Sequence, residues 1–237
     1  MSENALWTNV LLTDAGFFNP FHLRQPLTAL INRLKSMVQK PFGEARVLFI
    51  PTAACDDEAK TIAEILYSEL LVMGFKEENI TIYNLDGTLS EAAVMSYDIM
   101  YLTGGWCQHL LEIVHKTKFD SIIKKFVFAN KVYIGMSAGS VIATPNIMGC
   151  FGEPDRQDTE GLGLIQAYID CHCNMKPDPQ EKKLPLPHIM LSSHQAVAVS
   201  HSGYELIEET SARHEVEWSN PPIVGVNVFV KQELFGI

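Results

Sequence analysis

Residues 131–145 read Lys-Val-Tyr-Ile-Gly-Met-Ser-Ala-Gly-Ser-Val-Ile-Ala-Thr-Pro, and the organisation of the chain follows from how that stretch must run. Val132 to Ile134 is a β-prone run, Gly135-Met136-Ser137-Ala138-Gly139 spells G-x-S-x-G, and Ser140 to Ala143 can open a helix. Strand, sharp turn and helix, in that order, is the context in which G-x-S-x-G forms a nucleophile elbow. Such a turn holds its serine in a strained conformation above a sheet, so the residues two before and two after it must be small, as Gly135 and Gly139 are. The helix aims free N–H groups at the reacting carbonyl, and the N–H of Ala138 would stabilise an oxyanion forming beside Ser137. Two glycines around a serine also mark ordinary strand-to-helix turns; the flanking strand and helix are what favour the elbow.

The elbow strand is one of a series. Asn9 to Thr13 is a β-prone run ending in Asp14-Ala15-Gly16, and Pro26 to Lys40 carries Leu27, Leu30, Ile31, Leu34 and Val38 at helical spacing. Arg46 to Ile50 is apolar after its first residue, as a strand covered on both faces should be, and Pro51-Thr52 stops it. Asp56 is placed to cap a helix running to Met73, with Gly74 at its end. Ile80 to Leu85 and Asp98 to Leu102 read as further strands, the latter running into Thr103-Gly104-Gly105-Trp106, and helices are expected over 107–115 and 119–129. This alternation predicts an α/β fold: a three-layer αβα sandwich on a mostly parallel sheet. From Ile189 onward short β-runs dominate, at 189–191, 196–199, 204–207 and 224–230, and they suggest antiparallel edge strands. No internal repeat or linker interrupts the chain, which reads as a single domain over 1–237.

With 47% hydrophobic and 19% charged residues, the 237-residue chain can bury a large core, and long disordered tails are not expected. The net charge of −10 argues against nonspecific binding to nucleic acid or to an anionic membrane, since both need a basic face. No apolar run approaches a bilayer span and Met1-Ser2-Glu3-Asn4 lacks a basic signal-peptide start, so a cytoplasmic protein is expected. The five cysteines are odd in number and scattered, which suits reduced thiols better than a disulfide framework.

A serine hydroxyl needs a base to take its proton, and eight histidines are candidates. His172 follows an apolar run and a turn, where a parallel strand would deliver it to the face carrying the elbow, and it ranks ahead of His194. Cys171-His172-Cys173 invites a metal reading, but adjacent strand residues point to opposite faces and the zinc spacing is absent, so no metal and no cofactor is expected. The carboxylate that would fix the imidazole tautomer is open between Glu153, Asp155 and Asp158 in the loop after the elbow, and Asp170. Thr103-Gly104-Gly105-Trp106 should lie on the same face and could supply a second oxyanion donor.

Tyr-Leu-Thr-Gly-Gly at 101–105 with Gln108-His109-Leu110-Leu111, Ile-Gly-Met-Ser-Ala-Gly-Ser at 134–140, and Leu162-Gly163-Leu164 ahead of His172 resemble the aspartyl dipeptidase (dipeptidase E) and cyanophycinase family of serine peptidases. Phe-Ile-Pro-Thr-Ala at 49–53 and Ser-His-Gln-Ala-Val at 193–197 are similar to that family as well. The resemblance implies a fold like that of class I glutamine amidotransferases. It also implies Ser137 as nucleophile, His172 as base, Gly105 and Ala138 as the oxyanion hole, and an acid in the loop after the elbow, with Glu153 nearest in spacing. Gly104, Trp106 and Asp170 are then expected at the substrate. Trp106 replaces the family's usual Asn, and Asp170-Cys171-His172 is closer to the Asp-x-His of cyanophycinase-like members. Lys176, Lys182 and Lys183 stand where the dipeptidase has an arginine that reads aspartate, and a lysine lacks the bidentate fork, so aspartyl specificity does not transfer.

The function expected is hydrolysis of a peptide or isopeptide bond in a small peptide substrate through a Ser-His-acid triad and an acyl-enzyme, without nucleic-acid or membrane partners and with a homodimer left open. Two alternatives stand beside it: an esterase or amidase using the same triad, and a catalytically silent binding protein on the same fold.

Overall fold

In a computed structural model describing residues 9–21, 24–147, 159–173, 186–200 and 203–209, the innermost strands are the ones whose sequence is apolar throughout. Every residue of β1 (Val10–Thr13), β2 (Val47–Ile50), β4 (Ile99–Leu102) and β5 (Val132–Met136) is buried. Strands without a polar face must be covered on both sides, and these are. Alternate side chains divide between two cores. Val10, Leu12, Leu48, Ile50, Met100, Leu102 and Tyr133 enter one, while Leu11, Val47, Phe49, Ile99, Tyr101 and Ile134 enter the other. Helices α3 (Glu91–Val94), α4 (Cys107–Lys116), α5 (Phe119–Phe128) and α6 (Ala138–Ile142) close the first through Val94, Leu110, Val114, Ile123, Phe126 and Ile142. Helices α1 (Thr28–Val38) and α2 (Asp57–Val72) close the second through Leu30, Leu34, Leu66 and Leu70. Each such buried leucine contributes roughly 1.5–3 kcal/mol. The result is the αβα sandwich that the alternation of elements predicts.

The main sheet has seven strands in the order β3-β2-β4-β5-β1-β8-β9, where β3 is Ile80–Ile82, β8 is Gln195–Ser200 and β9 is Gly203–Glu208. The first five run parallel; β8 pairs antiparallel with β1, and β9 antiparallel with β8. Two of the expected edge strands are therefore present. The first β-run of that region, at 189–191, behaves differently: β7 (His188–Met190) pairs in parallel with β6 (Tyr168–Asp170) as a separate two-stranded sheet. The run at 224–230 lies outside the described residues. Strand β3 ends at Ile82, short of the apolar run, and Leu85, at φ 57°, lies outside any strand conformation. Local signals set the helix ends: Asp56 accepts the Ala59 N–H at 2.8 Å at the start of α2, and Gly74, at φ 100°, follows its C-cap Met73. Among the described residues no helix is long and apolar enough to cross a membrane.

The strand order has a consequence for position. The chain's first strand lies beside the elbow strand, with Thr13 opposite Met136, and β4 lies on the elbow's other side, with Leu102 opposite Gly135. The residues that follow β1, β4 and β5 therefore emerge together at the carboxyl edge of the sheet, where open α/β sheets bind their ligands.

Behind that edge a buried carboxylate ties the loop after β1 to α2. Glu69 accepts the Phe17 N–H at 3.3 Å and meets Arg24 Nη1 at 2.6 Å. Burial pushes its carboxyl up to about 8, with the Arg24 charge and the Phe17 N–H pulling the other way. A folded pKa above the unfolded value near 4.5 means that the native state holds this proton more tightly. The associated stability is full below about pH 4.5 and is lost as pH rises through 8. Glu69→Gln keeps the shape and has no proton to lose, and Arg24, partly exposed, stays solvated. Its stability relative to wild type should thus increase from pH 5 to pH 9 by up to about 4 kcal/mol in denaturant unfolding. Parallel pH profiles for the two proteins would contradict this account of Glu69.

Candidate active site

Ser137 sits between β5 and α6 with φ 47° and ψ −106°, a conformation that costs a non-glycine residue on the order of 1–3 kcal/mol. The surroundings over-determine it. The Ser137 N–H donates to the Thr13 carbonyl at 3.0 Å, and its own carbonyl accepts from the N–H groups of Ser140 and Val141 at 2.9 Å. Ser140 Oγ lies 2.8 Å from the carbonyl oxygens of both Thr13 and Gly135, and the buried Tyr133 hydroxyl donates to the Gly139 carbonyl at 2.7 Å. The two motif glycines are needed for contact. A Cβ on Gly135 would fall 2.5 Å from the Gly139 carbonyl oxygen, and one on Gly139 would fall 2.3 Å from that of Leu102. Strand and helix thus pack closely enough that only hydrogen fits, which is why the elbow is held.

His172, two residues beyond β6, brings Nε2 to 2.8 Å from Ser137 Oγ. It has a φ of 60°, and its side chain is 41% exposed, open to the cleft side of the sheet edge. The other side of the residue faces Asp14, the first residue after β1. Asp14 Oδ1 accepts the His172 backbone N–H and lies 3.4 Å from ring Nδ1. Asp14 is fully buried, and its second oxygen, Oδ2, has no hydrogen-bond partner among the described residues.

On the far side of Ser137, the turn Thr103–Trp106 approaches from the end of β4. Trp106 N–H donates to the Ala53 carbonyl at 2.8 Å, which pins the turn. Gly105 has φ 131°, and a Cβ there would lie 2.1 Å from that same carbonyl oxygen; a Cβ on Gly104 would lie 3.1 Å from Ser137 Cβ. Among the described residues neither the Gly105 nor the Ala138 N–H has an acceptor. These groups border a cleft of 530 Å³ whose lining includes Ser137, Ala138, His172, Gly104, Gly105 and Asp170. Asp56 and Glu58, at the N-terminus of α2, add two further carboxylates to its wall. Cys107 lines it too, but burial pushes its thiol up to about 11 against the pull of N–H groups in its own helix turn, so it stays protonated and unreactive.

The sequence profile of peptidase family S51 matches residues 19–210. The chain belongs to peptidase family S51. Within 101 residues it is 35% identical to an uncharacterized peptidase of Listeria monocytogenes serovar 1/2a, a match covering 43% of this chain and about half, 49%, of that protein. It is 27% identical over 162 residues to the peptidase E of Nostoc sp., covering 68% of this chain and 62% of the other. In three dimensions it superposes on the crystal structure of a Listeria monocytogenes EGD-e protein provisionally named peptidase E, with a TM-score of 0.67 at 22% identity. That superposition covers 85% of this chain and 98% of the other.

In this S51 chain, Ser137, His172, Gly105, Ala138, Gly104 and Asp170 meet around one cleft. Trp106 does not line it: its side chain is on a residue 58% exposed, bonds Gln108 Oε1 through Nε1 at 2.9 Å, and stacks on His109. The Asp170 carboxylate lies 3.9 Å from His188 Nε2. Second-ranked His194 sits across from Glu208, 3.3 Å away, on the β8–β9 side. Glu153, Asp155 and Asp158, and the lysines 176, 182 and 183, lie outside the described residues. The contact of Asp14 with His172 is one that reading the motifs does not predict. The signal available was the acidic residue directly after the first strand, but only the strand order places it beside the elbow. The tie beneath the turn is testable: Tyr133→Phe leaves the buried Gly139 carbonyl without this donor and should cost about 1–3 kcal/mol in urea unfolding. Unchanged stability would show that the hydroxyl does not hold the elbow.

Proposed function

We propose that this S51 chain is a serine peptidase that hydrolyses a peptide or isopeptide bond in a small substrate through an acyl-enzyme. The observation that carries the reading is the 2.8 Å contact between Ser137 Oγ and His172 Nε2 at the floor of an open cleft. With Nε2 unprotonated, His172 accepts the hydroxyl proton as Ser137 Oγ attacks the scissile carbonyl carbon. The carbonyl oxygen becomes an oxyanion, and the N–H groups of Gly105 and Ala138 flank the position it takes. The imidazolium then protonates the leaving amine, the C–N bond breaks, and Ser137 is left acylated. A water gives its proton to His172, attacks the ester, and regenerates the serine as the acid product leaves.

The cleft volume of 530 Å³ suits a dipeptide or a short branched peptide. Its described lining carries the carboxylates of Asp56, Glu58 and Asp170 and no lysine or arginine, so nothing in that lining favours an acidic side chain beside the scissile bond. Aspartyl specificity is not part of this proposal.

The test is turnover of a panel of α-linked and isoaspartyl dipeptides by wild type and by Ser137→Ala. The substitution keeps the backbone that the elbow needs, so folding should be retained while kcat/KM falls by about 10⁴-fold or more on whichever substrate wild type cleaves. Wild-type turnover by the variant would remove Ser137 from the reaction.

A further inference from the structure

We infer that Asp14, at the end of the first strand, is the carboxylate that positions the catalytic imidazole, in place of an acid from the loop after the elbow. The inference rests on the Ser137–His172 reading and adds a residue to it. Three observations converge. Asp14 Oδ1 lies 3.4 Å from His172 Nδ1, on the opposite edge of the ring from the nitrogen that meets Ser137. The same oxygen accepts the His172 backbone N–H, so a single carboxylate addresses both the main chain and the ring of this residue. And Asp14 is fully buried with Oδ2 unpartnered among the described residues, an arrangement a protein does not retain at low cost without a use for the charge.

The arrangement accounts for the backbone as well. A histidine at φ 60° occupies the left-handed region, which L-residues enter at a cost of roughly 1–2 kcal/mol. The bond from the His172 N–H to Asp14 holds it there. Asp14 in turn is placed by the sheet: Thr13 pairs with Met136 and its carbonyl accepts the Ser137 N–H at 3.0 Å. Positions 14 and 137 therefore leave adjacent parallel strands side by side, and the imidazole bridges them. In the resting state the carboxylate selects the tautomer with hydrogen on Nδ1, leaving the Nε2 lone pair toward Ser137. When His172 takes the serine proton, the buried negative charge stabilises the imidazolium. The 3.4 Å separation is longer than a hydrogen bond, as is common before substrate is bound, and a small rotation of the ring closes it. The Asp170 carboxylate, two residues before the base, lies 3.9 Å from His188 Nε2.

The assignment predicts a specific kinetic signature. Asp14→Asn is close to isosteric, and its amide can still accept from the His172 N–H, so the fold should persist. With an amide, the ring is free to adopt the wrong tautomer and its cation loses support. On a substrate that wild type cleaves and Ser137→Ala does not, kcat/KM should fall by about 10²–10⁴-fold at pH 7, mostly in kcat. The acidic limb of the kcat/KM profile, set by His172, should move to lower pH by one unit or more, because the carboxylate no longer favours the imidazolium. Asp14→Glu should recover part of the rate. The downfield Nδ1–H proton resonance of His172 should weaken or vanish in Asp14→Asn. A merely structural role would lower the folded fraction or raise KM but leave the acidic limb where it is. Near wild-type kcat and an unmoved limb in Asp14→Asn, with a large loss in Glu153→Gln instead, would overturn the inference while leaving the serine reading intact. Turnover surviving in Ser137→Ala would instead defeat the reading beneath it.

Discussion

The constraint on which the site depends is the pairing of the first strand with the fifth. One backbone hydrogen bond, from the Ser137 N–H to the Thr13 carbonyl, marks the point where that pairing ends and the candidate site begins. Beyond it both chains turn: one into a strained serine above a short helix, the other into a buried aspartate. Because strands β1 and β5 run parallel in register, the two turns occur at one height on the sheet. His172, two residues past the separate two-stranded sheet, then reaches across to Ser137 at 2.8 Å.

This explains why so much of the neighbourhood is backbone. Gly135, Gly139, Gly104 and Gly105 are all positions where a Cβ would strike a main-chain or elbow atom within 3.1 Å. Close approach brings the ends of β4 and β5 to one cleft, which Gly104, Gly105 and Ala138 line together. Tyr133, Ser140 and Thr13 supply the hydrogen bonds that hold the turn from below. The strain at Ser137 is thus held by a hydrogen-bonded frame with little freedom to relax, the condition under which a strained residue persists. The tie from Glu69 to Phe17 acts at a further remove, fixing the loop that starts at Asp14 against the helix whose first turn walls the cleft.

Much of this was legible in the residues. The G-x-S-x-G turn between a β-run and a helix singled out Ser137, and the apolar run before His172 pointed to the sheet edge where its ring lies 2.8 Å from that serine, because both signals are local and depend on periodicity and glycine. The parallel sheet was equally readable, since β1, β2, β4 and β5 have no polar face. Asp14 was not, for a physical reason: its partnership with His172 spans 158 residues and exists only because the first strand inserts beside the fifth. Periodicity reports that a strand exists and which faces are covered, but not its neighbours. The same limit explains β7, whose short apolar run resembles an edge strand of the main sheet and pairs with β6 instead. Trp106, expected at the substrate from its place in the motif, turns outward because its own N–H is committed to Ala53 and its ring to His109.

The central claim is that Ser137 is a nucleophile made reactive by the geometry around it. Treatment of the folded protein with a fluorophosphonate, followed by peptide mass spectrometry, tests that claim most directly. The account predicts a single phosphonyl adduct on Ser137, formed in native protein and absent after denaturation or in His172→Ala. An unlabelled Ser137 in folded protein, or an adduct confined to another residue, would contradict it.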